Sequence, residues 1–324
     1  MILYRHIIHK AWHNTFHNYW LWVAGLLAAI VTNIGHYNSL FNSLDGTNSW
    51  LHLGQALTTF WLDSKLVVEA ALSSPLLFII SLLLICLIVV ILFLAVSSQI
   101  LVIRQASAGL KLGNQALAKP KTGFWRQVKS NWSVFWPTAG IIVVVKFILL
   151  FELLIVGLAM SLAHLVQQPI ISTFLYVFLT LISLALLWLI AVWGKYWLLL
   201  FLSGKKIGWR VAAKQAWTIL RQNFLISLEM SVIIILINLL AYLAWVFVIY
   251  LLAIPFVLLT LLLIKYLAIS QIALIVLAKF LLLASLVVLV GFMVVLETSL
   301  WLSFLENIAG KNITSKVGRI IRRR

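Results

Sequence analysis

The chain has 324 residues, of which 64% are hydrophobic and 10% charged. Soluble domains carry about 25% charged residues, and no soluble fold could hide this much apolar surface, so lipid must cover part of it. The net charge of +17 would suggest nucleic acid in a soluble chain, but its distribution points to a membrane surface instead.

Arg5 and Lys10 precede the first apolar run, Tyr19 to Ile34. A short run after basic residues has the look of a signal peptide. No small-x-small cleavage site follows it, and the run belongs to a repeat, so it reads as a span. Residues 35–75 begin polar and turn-rich, with Asn38, Ser39, Asn42 and Asp45-Gly46. From Ser49 onward, Trp50, Leu53, Leu57, Phe60 and Trp61 predict an amphipathic helix lying at the outer surface, where aromatic rings are favoured.

Pro75 opens the second run, Leu76 to Ile103, which contains the one cysteine, Cys86. It can form no internal disulfide, and it reads as a small core residue rather than a reactive thiol. The third run is Trp132 to Ala163 and the fourth Ile170 to Leu202. Both are longer than the hydrocarbon requires, so they tilt or protrude. His164 to Pro169 alone separate them, which predicts a tight antiparallel hairpin on the outer side. The last apolar region, Phe224 to Leu305, begins and ends beside basic segments and therefore crosses an even number of times. Two spans are expected, with a middle stretch around Pro255 to Gln271, including Lys265, that lies at the outer interface or re-enters. Two extra spans within 252–279 are the alternative.

Nineteen of the 24 Lys and Arg residues fall in four segments between or beside the apolar runs: Arg5 with Lys10, then 104–131, 203–223 and the tail after Glu306. Positive loops stay cytoplasmic. The expected topology is therefore six spans in the cell membrane with both termini cytoplasmic. Anionic lipid is a sufficient partner for the basic segments, and nucleic acid is not needed. In the tail 311–324, Lys311, Lys316, Arg319, Arg322, Arg323 and Arg324 are the expected anionic-lipid contacts.

Three segments share the pattern Trp, five residues, Asn, aromatic: Trp12 to Asn18-Tyr19, Trp125 to Asn131-Trp132, and Trp217 to Asn223-Phe224. Each precedes an apolar run. Matching stops follow at Gly109-Leu110-Lys111-Leu112, Gly204-Lys205-Lys206-Ile207 and Gly310-Lys311-Asn312-Ile313. Glycine suits a helix C-cap, and lysine suits the inner surface. The fold class expected is all-α: a polytopic transmembrane bundle in one membrane domain, built of three pseudo-repeated hairpins (1–110, 111–204, 205–310). Each hairpin follows an inner amphipathic helix that anchors at the headgroups.

His9-Lys10-Ala11-Trp12, with Asn18-Tyr19-Trp20-Leu21-Trp22 and Gly25-Leu26-Leu27-Ala28-Ala29, resembles the start of a family of bacterial multi-spanning membrane proteins. That family is similar to the membrane domain of glycerophosphodiester phosphodiesterases. The resemblance covers the whole chain in architecture. The family's catalytic domain, where present, is a separate soluble barrel that this chain does not supply, so the resemblance implies no catalysis.

Ionisable groups within spans are costly and mark functional candidates. Those expected here are Lys146, Glu152, Lys195, Glu229 and Glu297. Lys195, Glu229 and Glu297 lie near the inner surface and form a candidate charge cluster, read either as structural pairing or as an ion path. Lys146 lies 15 residues past Asn131, as Asn33 does past Asn18 and Asn238 past Asn223. Asn33, Lys146 and Asn238 thus form a candidate intramembrane polar site, where Lys146 could hold an anionic group. Three unrelated interhelical hydrogen bonds are the plainer reading.

His9, His13 and His17 line one helical face at a spacing that suits a metal, but a polar surface face explains them as well, and no metal or cofactor is expected. The functional expectation is a non-enzymatic scaffold or accessory in membrane or envelope organisation. The alternative is a small transporter or channel with its site around Lys146. A lipid-modifying enzyme would require His36, His52, His164, Asp45 and Asp63 to converge.

Overall fold

The computed structural model describes residues 4–32, 75–111, 131–163, 168–203, 207–263 and 268–309. Among them the chain forms α1 (Tyr4–His17), α2 (Leu21–Thr32), α3 (Pro75–Lys111), α4 (Trp132–Ala163), α5 (Pro169–Leu202), α6 (Trp209–Gln222), α7 (Phe224–Leu263) and α8 (Ala268–Ala309). No strand occurs among the described residues. The fold is an all-α polytopic membrane bundle. In lipid each backbone N–H and C=O must be satisfied within its own segment, and a helix does this.

Among the described residues five helices, α3, α4, α5, α7 and α8, are long and apolar enough to cross a membrane, against the six expected. The first expected span appears as α2, of 12 residues. At about 1.5 Å per residue α2 alone is shorter than the hydrocarbon, and residue 33 onward lies outside the described residues. The last apolar region resolves into two helices of 40 and 42 residues. Most of 252–279 therefore continues these two helices. Pro255 lies inside α7. Its ring leaves one carbonyl without its usual donor, whereas unwinding the helix in lipid would expose several.

The second apolar run is packed at one end and bare at the other. In α3, every residue from Pro75 to Leu92 except Ser81 is exposed, whereas Ala95 to Ile103 are all buried. Cys86 is among the exposed residues, so the core position expected for it is corrected: it faces outward from α3. An apolar run looks alike in sequence whether protein or lipid covers it, and here it is lipid-suited surface.

The chain divides into two compact units. One comprises Met1–Ala29, Ser98–Val128 and Thr218–Arg324; the other comprises Ile30–Ser97 and Lys129–Trp217. In the first, α1 lies along the end of α8 that adjoins the basic tail. Lys10 bonds Glu306 at 3.1 Å and Asn14 bonds Ser299 at 3.1 Å, while Trp12, Phe16 and Trp22 surround Phe292 edge-on. Tyr4, Ile7, Ala11, Asn14 and Thr15 are buried at helical spacing. The helix expected as a simple anchor therefore packs on protein along its length. Leu21, Ala24, Leu101, Val102 and Val295 form a core where α2, α3 and α8 meet.

In the second unit α4 and α5 form the expected antiparallel hairpin. The first part of α6 doubles back along α5: the Trp193 indole N–H donates to Ala213 O at 3.3 Å and that of Trp197 to Trp209 O at 2.8 Å. Within α6, Ala212, Ala216 and Leu220 are buried, and Arg210, Lys214 and Arg221 are exposed.

The three matched asparagines occupy one kind of position. Asn18, Asn131 and Asn223 each lie in the turn just before an apolar helix. Each offers its carbonyl to an N–H of the helix that follows, at 2.9–3.0 Å. In the first and third copies the Asn side chain also donates to the carbonyl four residues back, Asn14 O and Ile219 O, at 2.9 and 3.1 Å. In the third copy Ile219 O also accepts the Asn223 backbone N–H, at 3.0 Å, so the side-chain bond reinforces the end of the preceding helix.

Candidate functional site

The α4–α5 hairpin carries the clearest concentration of charge in an apolar setting. A Cβ built on Gly194 of α5 would meet Val145 Cγ1 of α4 at 2.7 Å. Glycine therefore lets the two helices approach closely at this level. The residues beside that contact are Lys146 and Lys195, both partly buried. Six residues farther along α4, about 9 Å by helical rise, Glu152 is 8% exposed. Its Oε1 accepts a bond from Ser183 Oγ of α5 at 3.0 Å, and its Oε2 is buried with no hydrogen-bond partner. Glu152 is the only acid among the described residues of this unit, which also holds Lys146, Lys195, Arg210 and Lys214. The local potential is positive, which suits an anion at the level of the two lysines.

Of the three residues matched by repeat position, Lys146 belongs to the second unit and Asn238, partly buried on α7, to the first. Asn33 lies outside the described residues. Of the second expected cluster, Lys195 belongs to the second unit, and Glu229 and Glu297 to the first. Glu229 accepts a hydrogen bond from the Tyr4 hydroxyl of α1, and Glu297 is partly buried on α8. The tail contacts Lys311, Lys316, Arg319, Arg322, Arg323 and Arg324 lie outside the described residues, as do His36, His52, His164, Asp45 and Asp63.

Sequence reasoning did not reach several features. The bond of Asn14 to Ser299 joins residues far apart in the chain. Among its described residues the first unit buries four side-chain oxygens that have no hydrogen-bond partner, on Asn18, Ser98, Gln99 and Ser303, so its packing is more polar than its hydropathy suggests. Lys279, exposed on α8, is a further charge within an apolar run, and a scan of that run for charge alone would have found it.

On the histidine face of α1, His9 and His13 lie parallel, and His17 is tilted against His13. The ring centroids of His13 lie 6.5 Å from His9 and 3.8 Å from His17. Burial, with the adjoining charges of His17 and His9, holds the His13 imidazole below its ordinary value. Among the described residues no group of three or more His, Cys, Asp or Glu is placed to hold a metal ion. Compared with known proteins, the chain matches no family model, no curated sequence and no solved structure.

Proposed function

We propose that the chain is a non-enzymatic protein of the cytoplasmic membrane, a scaffold or accessory in membrane and envelope organisation. Its basic helix ends face the cytoplasm, and it acts through its contacts with lipid and neighbouring proteins. The observation that carries this reading is the bareness of the apolar halves. The most apolar 18-residue window of α3 is 0% buried and that of α7 is 6% buried. A carrier needs a polar lining through the hydrocarbon, and these stretches offer lipid-suited surface. The positive-inside bias supports the orientation. The three Asn junctions support the repeat 1–110, 111–204 and 205–310, as would the resemblance to the phosphodiesterase-linked membrane domain.

One observation favours a second reading, a small transporter or channel: Lys146, Lys195 and Glu152 share one hairpin. A single experiment separates the two. A deletion strain is complemented with Lys146→Met/Glu152→Gln, with assembly checked in membranes. Full rescue of the envelope phenotype supports the scaffold. Loss of rescue by an assembled protein, with loss of ion or solute flux in proteoliposomes, supports transport.

A further inference from the structure

We propose that Lys146 and Lys195 form a binding site for the phosphate of an anionic phospholipid, in the leaflet at the basic end of the α4–α5 hairpin. This rests on the membrane reading above and adds one defined lipid site to it.

Depth along the helices comes first. The hydrocarbon is about 30 Å thick and takes about 20 helical residues. Counted from the far end of each helix, about 20 residues lead from Ala163 back to Val143 on α4, and from Pro169 on to Leu189 on α5. Lys146 lies three residues short of Val143, about 4.5 Å inside the hydrocarbon, and Lys195 six residues past Leu189, about 9 Å outside it, by helical rise. The headgroup layer is about 5–8 Å deep on each side, as the difference between total and hydrocarbon thickness. A flexible lysine reaches several ångströms either way, so both ammonium groups can reach the phosphate level.

A second ruler agrees. The indole N–H groups of Trp193 and Trp197 tie α6 alongside α5, on either side of Lys195. At that level α6 exposes Arg210 and Lys214, which hydrocarbon would not accommodate. Lys195 therefore lies where headgroups begin, beside indoles of the kind that favour the interface. The contact of Gly194 with Val145 brings Lys146 to the same level.

The arrangement is built for an anion. Two cations held at one level of a close-packed hairpin repel each other, and a phosphate between them turns that repulsion into two charge-assisted contacts. A lipid also covers the apolar faces above: Phe147, Leu150, Phe151, Leu154, Leu181 and Leu186 are exposed on the same two helices. Acyl chains can lie along those faces while the phosphate occupies the lysines. A free phosphate would use the charge alone, which is why we assign the site to lipid.

The test uses the full-length chain purified in mild detergent and titrated with phosphatidylglycerol, with bound lipid counted by native mass spectrometry. Wild type should retain one tightly bound phosphatidylglycerol more than Lys146→Gln/Lys195→Gln, whose affinity at that site should be about 30-fold weaker, from two basic groups at about 1 kcal/mol each. Lys146→Arg/Lys195→Arg should keep the lipid. Phosphatidylcholine should not replace it, and excess inorganic phosphate should not displace it. Equal retention by the glutamine variant would overturn the site, and displacement by inorganic phosphate would overturn the lipid assignment. A measurement on wild type covers the case in which the glutamine variant does not assemble. Acylation of Lys146 and Lys195 by an amine-reactive probe should be slowed by phosphatidylglycerol nanodiscs relative to phosphatidylcholine nanodiscs; equal rates would sink the proposal. A strain rescued by the glutamine variant, with no lipid difference detected, would remove this site and leave the scaffold reading standing.

Discussion

Gly25 of α2 and Gly291 of α8 stand in reciprocal contact. A Cβ on Gly25 would lie 2.4 Å from Gly291 O, and one on Gly291 would lie 2.2 Å from Trp22 O. The obstructing atoms are backbone on both sides, so no side chain can swing away to relieve the clash. Small residues at such crossings let helices pack closely where lipid supplies little drive for association. Gly25→Ala or Gly291→Ala should therefore separate the helices and destabilise the protein by about 1–3 kcal/mol, the usual range for overpacking. Gly140→Ala, with nothing within 4 Å of its Cβ, is the control. Thermal melting in detergent gives the comparison, and equal melting temperatures for all three variants would contradict this packing.

Two polar links join α1 to α8, and they should differ in weight. The Asn14–Ser299 bond is buried, and the Lys10–Glu306 bridge is exposed on its Glu side, at 48%. Truncating a buried partner strands the other, at about 1–3 kcal/mol. An exposed ion pair contributes about 0–1 kcal/mol and weakens with salt. Asn14→Ala should lower the melting temperature clearly, whereas Lys10→Ala should lower it little and not at all in high salt. The reverse order would show that α1 is held by charge.

How far the sequence carried can be judged from particular elements. Helix starts at Pro75, Trp132, Pro169 and Phe224 were legible because proline or an Asn-aromatic junction marks them. The place of Pro255 was not, since a proline reads as a break in water and is absorbed by a long helix in lipid; Lys265 lies outside the described residues. Cys86 was misread because hydropathy reports that a residue avoids water but not whether lipid or protein shelters it. For the same reason no pattern paired Gly25 with Gly291 or Val145 with Gly194. Lys146 and Lys195 were visible as charges in apolar runs, but their shared level depends on the helix crossing. Asn33 and Asn238 were matched to Lys146 by counting residues alone.

The outward position of Cys86 gives a direct depth measurement. Eleven residues from Pro75 it lies about 16 Å along α3. A nitroxide attached to Cys86 in liposomes should be quenched by oxygen, which concentrates in lipid, and shielded from a water-soluble nickel chelate. Single cysteines at Asn42 and Gln167, in a Cys86→Ser background, should label from outside intact cells, and one at Ser315 should not. Outside labelling at Ser315 would reject the cytoplasmic tail.

Acid should loosen α1. The folded state holds His13 below its ordinary value of 6.5, chiefly by burial and then by the charges of His17 and His9. A depressed value means that the fold prefers the neutral ring. The stability it contributes is complete above the unfolded value and is lost as pH falls through the lower folded value. Melting temperature should therefore decline on going from about pH 7 to about pH 5, the range in which histidine titrates. His13→Gln, which cannot charge, should flatten that decline. An unchanged profile in His13→Gln would place the sensitivity elsewhere.

Glu152 is the residue whose replacement should separate stability from role most cleanly. It is buried in the hairpin with Ser183 on one oxygen and no partner on the other. An ionisable group in this setting carries a burial cost that a neutral amide of the same shape largely avoids. Glu152→Gln keeps an acceptor for Ser183 and removes the charge, so its melting temperature should equal or exceed that of wild type. Ser183→Ala removes the one donor and should lower the melting temperature, by about 1–3 kcal/mol for a stranded buried acceptor. Combined with Glu152→Gln, the Ser183→Ala change should cost less, because a neutral acceptor is cheaper to leave unpaired than a carboxylate. If Glu152→Gln instead melts well below wild type, the charge itself must be holding the hairpin, and Lys146 would become the group to test as its partner. If it melts normally yet fails to complement a deletion strain, the carboxyl group serves the transport reading and not the bundle.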